Sequence, residues 1–112
     1  MPKTKSPEIP ESIQQQVNEI VQKFNKAVIK DCNRYYVTRF NGKFLYLDRY
    51  DHDFLSHMCR LKYTGQIDNW DFAIYKYSAG AYDPDEWAFP GSGHVDGTIE
   101  GAMKAGLKAY PD

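Results

Sequence analysis

Asn41-Gly42 stands between two runs dominated by aromatic and β-branched residues, RYYVTRF before it and KFLYLDRYD after it. Both central positions of a type I′ turn need positive φ, and Asn-Gly is the pair that accepts it most readily. The stretch therefore predicts a β-hairpin with a two-residue loop. That loop sets Phe40 opposite Lys43, Thr38 opposite Leu45 and Tyr36 opposite Leu47. On the other face Val37 lies beside Tyr46 and Tyr35 beside Asp48. Both faces of the hairpin thus carry apolar rings. One face is expected to meet helices. The other needs cover from a second subunit, or from tyrosine rings lying along the sheet.

A helix is predicted ahead of the hairpin. Ile13, Val17, Ile20, Val21, Phe24 and Val28 form one stripe at the 3.6-residue period, with Gln, Asn, Glu and Lys between them. Pro10 suits the first turn, and the helix is expected to run to about Ile29. Residues 1–9, polar with two prolines, read as a flexible arm before a single domain over 10–112. Beyond the hairpin, DHDFLS reads as a connection. HMCRLKYT then alternates, with His57, Cys59, Leu61 and Tyr63 on one face and Met58, Arg60, Lys62 and Thr64 on the other. After GQIDN, a fourth strand places Trp70, Phe72 and Ile74 on one face. The stretch AGAYDPDEWAFPGSG reads as an ordered loop pinned by Tyr82, Trp87 and Phe89. A final helix is expected from an Asp96 N-cap through Ile99, Met103, Leu107 and Tyr110. Its glycines at 101 and 106 point to close approach against its support. Short connections favour antiparallel neighbours. The expected fold is α+β, order αββββα: a four-stranded antiparallel meander with both terminal helices on one face.

With 112 residues, 42% hydrophobic and 26% charged, the chain suits one soluble globular domain. A net charge of −1 gives no global pull toward nucleic acid or membrane. The first 46 residues carry eight Lys/Arg against four Asp/Glu, the rest six against eleven, so folding is expected to bring the two halves together. There is no apolar leader and no run approaching a membrane span. Cys32 and Cys59 belong to no CxxC pattern. A reducing cytoplasm with both thiols free is the expected setting, a 32–59 disulfide requiring a fold that brings the two close.

Several constellations invite chemistry. Gly91-Ser92-Gly93 precedes a helix, but it lacks the lysine of one phosphate loop and the third glycine of another, and Asp96 sits where an anion would. The glycines are expected to serve geometry. Asp51, His52, Asp53 and His57 offer oxygen and imidazole ligands in one short segment, so they are the candidate metal or hydrolytic site, although their spacing matches no zinc pattern. No GxSxG and no recognised nucleophilic cysteine occurs, so no catalytic residue is assigned and no cofactor is implied. Arg34, Arg39 and Lys43 among Tyr35, Tyr36, Phe40 and Tyr46 could stack bases and pair phosphates of a single strand, without the signature motifs of that class. Protein association follows most directly from the pattern. The expected interaction face is Tyr35, Tyr36, Val37, Phe40, Phe44 and Tyr46, and the simplest partner is a second copy.

The helix–hairpin–hairpin–helix layout, RLKYTGQIDNWDFAIYKYS and YDPDEWAFPGSGHVDGTIEGAMKAG together resemble a small prokaryotic family of uncharacterised proteins. The resemblance implies the fold just described across most of residues 10–110. It implies no activity and places no functional residue.

Overall fold

A computed structural model describes residues 8–111. Helix α1 spans Glu11–Phe24 and runs into a π-helical turn, Asn25–Ile29. Five strands follow: β1 Arg34–Asn41, β2 Phe44–Asp51, β3 Phe54–Lys62, β4 Asp71–Lys76 and β5 Ala81–Asp83. A single 3-10 turn, Ser92–His94, leads to helix α2, Ile99–Ala109. The fold is α+β, and the sheet is antiparallel with order β1-β2-β3-β4-β5. The expected fourth strand is present, and a fifth was not foreseen. Three residues flanked by Gly80 and Pro84 are too few to show alternation, so β5 falls inside what reads as loop.

The first hairpin forms with its turn one residue later than expected. Gly42 and Lys43 are the loop, Asn41 stays in the ladder opposite Phe44, and only Gly42 takes positive φ, at 62°. Glycine at the first central position is the demand of a type II′ turn. Every partner therefore moves by two: Tyr36 faces Arg49, Thr38 faces Leu47 and Phe40 faces Leu45. A shift of two keeps each side chain on its predicted face. The segment DHDFLS, expected as a connection, is instead a second tight hairpin. Both His52 (φ 51°) and Asp53 (φ 74°) are left-handed, as type I′ requires.

Both helices meet the sheet at one side chain, Tyr36. The Phe24 ring packs on it edge-on at 6.1 Å, and its hydroxyl donates to the Met103 carbonyl at 2.7 Å. The core lies between them: Val17, Val21 and Phe24 from α1, Leu45, Leu47, Cys59 and Leu61 from the sheet, and Ile99, Ala102 and Met103 from α2. Trp70, Phe72 and Ile74 are buried together, as their alternation predicts. A bulge opposite Leu47 and Asp48 breaks the clean alternation read into β3. Met58 is consequently buried alongside Cys59, and His57 turns to the other face beside Asp48.

The N-cap of α2 is Thr98, not Asp96. The Thr98 hydroxyl accepts from the Gly101 N–H at 3.0 Å, and the Asp96 carboxylate accepts from both the Thr98 N–H and its hydroxyl. Asp96 therefore holds the cap, and those bonds hold its carboxyl below the usual carboxylate range, against a smaller opposing effect of burial. At Gly91 φ is 95°, and a Cβ there would meet Lys108 Cβ at 2.6 Å, so that glycine does serve close packing on α2. Trp87, expected to wedge the acidic loop, is 50% exposed and touches Phe72 from outside, whereas Phe89 stacks on Phe72 at 5.9 Å. Residues 1–7, most of the expected arm, lie outside the described residues. Ile9 is buried, and its N–H donates to the Gly42 carbonyl.

Candidate functional site

The face of the sheet opposite Tyr36 is built by the second set of every strand. From β1 it takes Tyr35, Val37 and Arg39; from β2, Phe44, Tyr46, Asp48 and Tyr50. Leu55, His57 and Arg60 come from β3, Ala73 and Tyr75 from β4, and Tyr82 from β5. Of the six residues expected to form an interaction face, Tyr35, Val37, Phe44 and Tyr46 are here. Tyr36 and Phe40 are on the helix side, where Tyr36 is buried and Phe40 packs on the core.

Asp48 is the centre of this face. Its side chain is 4% exposed, although no helix lies over it. His57 Nδ1 approaches one carboxylate oxygen at 3.1 Å, and Arg39 Nε approaches the other at 3.5 Å. Rings close the space around these groups. The Arg39 guanidinium lies 4.2 Å over Tyr46, Tyr46 packs on Tyr82 at 5.4 Å, and His57 packs on Tyr75 at 5.0 Å. The Arg60 guanidinium lies over Phe44 at 4.6 Å and Tyr82 at 5.5 Å. Burial, with the Asp48 charge adding to it, pushes the Tyr82 phenol up to about 12, and the Tyr82 hydroxyl is buried with no hydrogen-bond partner.

In the tautomer that donates from Nδ1 to Asp48, Nε2 of His57 is left as an acceptor, and the side chain is nearly half exposed. That arrangement holds one oriented imidazole. Among the described residues no serine or cysteine stands beside it on the same face: Ser56 pairs with Arg49 on the helix side, and Cys59 is buried there. Desolvation pushes the Cys59 thiol up, so it stays protonated. The face can hold rings and charges in fixed positions, which is what recognition needs.

The four acid and histidine residues proposed as metal ligands are not brought together. Asp51 is bound to Arg34 at 2.7 Å and Arg49 at 3.1 Å, His52 and Asp53 occupy the hairpin turn, and His57 belongs to Asp48. No group of three or more His, Cys, Asp or Glu side chains suited to a metal occurs among the described residues. No helix there is long and apolar enough to cross a membrane. Both cysteines are free, Cys32 exposed and Cys59 buried. For the single-strand reading, Arg39 stays on the ring-bearing face, while Arg34 is taken up by Asp51 and by the Pro111 carbonyl.

Sequence reasoning missed Arg49 and did not place Asp48 and Tyr82 at the centre of this face. Asp48 and Tyr82 are recognisable only once the bulge and β5 exist. Arg49 carried a signal of its own: it continues the inward series Leu45, Leu47, Arg49, which marks it as a charge placed in the core. A search of family models, of curated proteins and of solved structures finds no match to this chain.

Proposed function

We propose that this protein is a docking module whose working surface is the ring-bearing sheet face centred on Asp48, and that its occupant is another protein chain, a second copy of itself being the simplest. The observation that carries this reading is the Arg39–Asp48–His57 network enclosed by Tyr46, Tyr75 and Tyr82. A sheet face meant only for water does not need to bury a carboxylate under tyrosines. Tyrosine and arginine are the residue types that dominate binding energy at protein interfaces, because their rigid or planar groups lose little entropy on contact. At one end of the face, Tyr35, Tyr50 and Leu55 make a row opposite one another. Tyr35 and Leu55 are exposed there, so the polar centre has an apolar flank.

Light scattering on the purified chain at about 50 μM tests the self-association form, a concentration at which a micromolar dimer is mostly assembled. The expected result is a dimer that the double substitution Tyr35→Asp, Leu55→Asp converts to a monomer with little change in melting temperature. A monomer for the unsubstituted chain at that concentration rejects self-association.

One observation favours a second reading, binding of single-stranded nucleic acid on the same face. Arg60 lies over Phe44 and Tyr82 and has no carboxylate partner among the described residues. Stacked rings beside a free guanidinium can hold a base and its phosphate. This reading expects oligonucleotide binding that weakens steeply with salt and disappears in Arg60→Ala. Retained affinity in that variant would reject it.

A further inference from the structure

A hollow of about 400 Å³ lies on the helix side of the sheet, between the β2–β3 hairpin and the end of α2. Arg49, Asp51, Phe54, Met58, Tyr77 and Tyr110 are among the residues that wall it. The Arg49 side chain is 1% exposed. Its Nε donates to Asp51 at 3.1 Å and its Nη2 to the Tyr110 carbonyl at 2.5 Å. Its Nη1 is buried and, among the described residues, has no hydrogen-bond partner, the Tyr36 ring lying 6.0 Å from the guanidinium carbon. A guanidinium has donors only, so what that nitrogen lacks is an acceptor.

We propose that this hollow is a binding site for a carboxylate borne on an apolar or aromatic body, with Arg49 as the group that receives the carboxylate. The charge balance favours a monoanion. Among the described residues two guanidiniums, Arg34 and Arg49, share the single carboxylate of Asp51, which leaves one positive charge over. One unfilled guanidinium nitrogen suits a planar carboxylate. A phosphate dianion would need several free donors, and beside Nη1 the walls add the Ser56 hydroxyl. Beside Arg49, Asp51 and the Ser56 hydroxyl the walls are ring and thioether, and Phe54, 76% exposed, is a large apolar side chain left at the rim. Its exposure leaves it free to turn aside for an entering ligand and then to close on it. The site is independent of what docks on the opposite face of the sheet.

Two sources share this chemistry, a free small acid and the terminal carboxylate of a peptide, and one set of titrations separates them. The full chain is titrated with phenylacetate, with its neutral counterpart phenylacetamide, with inorganic phosphate, and with Gly-Gly-Phe as free acid and as amide. Amide NMR shifts and melting temperature are the readouts. The proposal expects saturable binding of phenylacetate with a Kd of about 1 mM or tighter, and binding of phenylacetamide at least tenfold weaker. The perturbed resonances are expected at Arg49, Phe54 and Tyr110. Tighter binding of the free-acid tripeptide than of phenylacetate assigns the site to a peptide terminus; the reverse order assigns it to a small acid. Arg49→Lys tests the guanidinium, and Phe54→Ala, at an exposed position, tests the rim should the first variant fail to fold. Each is expected to weaken phenylacetate severalfold. No saturable shift with either acid, equal binding of acid and amide, or equal binding of phosphate overturns the proposal.

Discussion

Arg49 shows how a single buried charge can be made tolerable. It reaches the last turn of α2, where carbonyls have no intrahelical partner and the helix dipole favours a cation. Asp51 then ties it to Arg34, which in turn holds the Pro111 carbonyl. Burial pushes the Asp51 carboxyl up, but the hydrogen bonds from Arg34 and Arg49 outweigh it and hold the group below the usual carboxylate range. A depressed folded-state value means that the stabilisation is complete above the unfolded-state value, about 4, and is lost as pH falls through the lower folded one. Urea unfolding of Asp51→Asn should therefore differ most from the unsubstituted chain near neutral pH, with the gap closing below about pH 4. A gap of constant size down to about pH 2 would show that the charge contributes nothing.

The two tryptophans make a second contrast at this scale. Trp70 is buried, with its indole N–H donating to the Ile67 carbonyl at 2.7 Å, and Trp70→Ala should cost about 3–5 kcal/mol. Trp87→Ala, at a half-exposed site, should cost about 0.5 kcal/mol or little more in the same melts. Gly106 sits where a Cβ would run into the Tyr36 hydroxyl. Gly106→Ala should destabilise despite better helix propensity, because about 1–3 kcal/mol of overpacking exceeds the roughly 1 kcal/mol gained. Alternation and helical spacing made most of this core readable. The same alternation puts Arg49 in the core but does not name its partner at Tyr110, 61 residues on, and the Asp48–His57 pair depends on the bulge in β3.

Among the elements, the two hairpin turns divide what sequence can and cannot reveal. Asn41-Gly42 announced a turn but not which two residues form it. His52-Asp53 announced none, since it lacks the glycine that marks such a turn, although Asp and His enter left-handed backbone more readily than most, and both strands continue to pair beyond it. His52→Asn with Asp53→Gly should relieve that cost and raise the melting temperature, by an amount equivalent to roughly 1 kcal/mol. A lowered melting temperature would mean that His52 or Asp53 makes a contact of its own. The π-helical turn has a definite task. It delivers Asn25 to the free edge of β1, where its side-chain amide accepts from the Tyr36 N–H at 2.8 Å and donates to the Tyr36 carbonyl at 3.0 Å. One side chain thus takes the place of a neighbouring strand. Asn25→Ala should cost about 1–3 kcal/mol in denaturant unfolding and leave those two groups open.

For the whole molecule, the consequence is a sheet with little open edge. Asn25 covers part of β1, and β5 is only three residues long. Both are ways of discouraging strand-to-strand addition, which is consistent with the docking proposed for the ring-bearing face. The overall class and four strands between two terminal helices were legible because burial follows periodicity. The centre of the candidate site was not, because it depends on one bulge and one three-residue strand. Cys32 is exposed while Cys59 is sealed in the core. In air, two molecules can therefore become covalently tethered through Cys32 without their sheets ever touching. A species of doubled mass reports on recognition only when it survives a reducing agent or the replacement Cys32→Ser. The same solitary accessible sulfur is a natural handle for a fluorophore, placed at the head of β1.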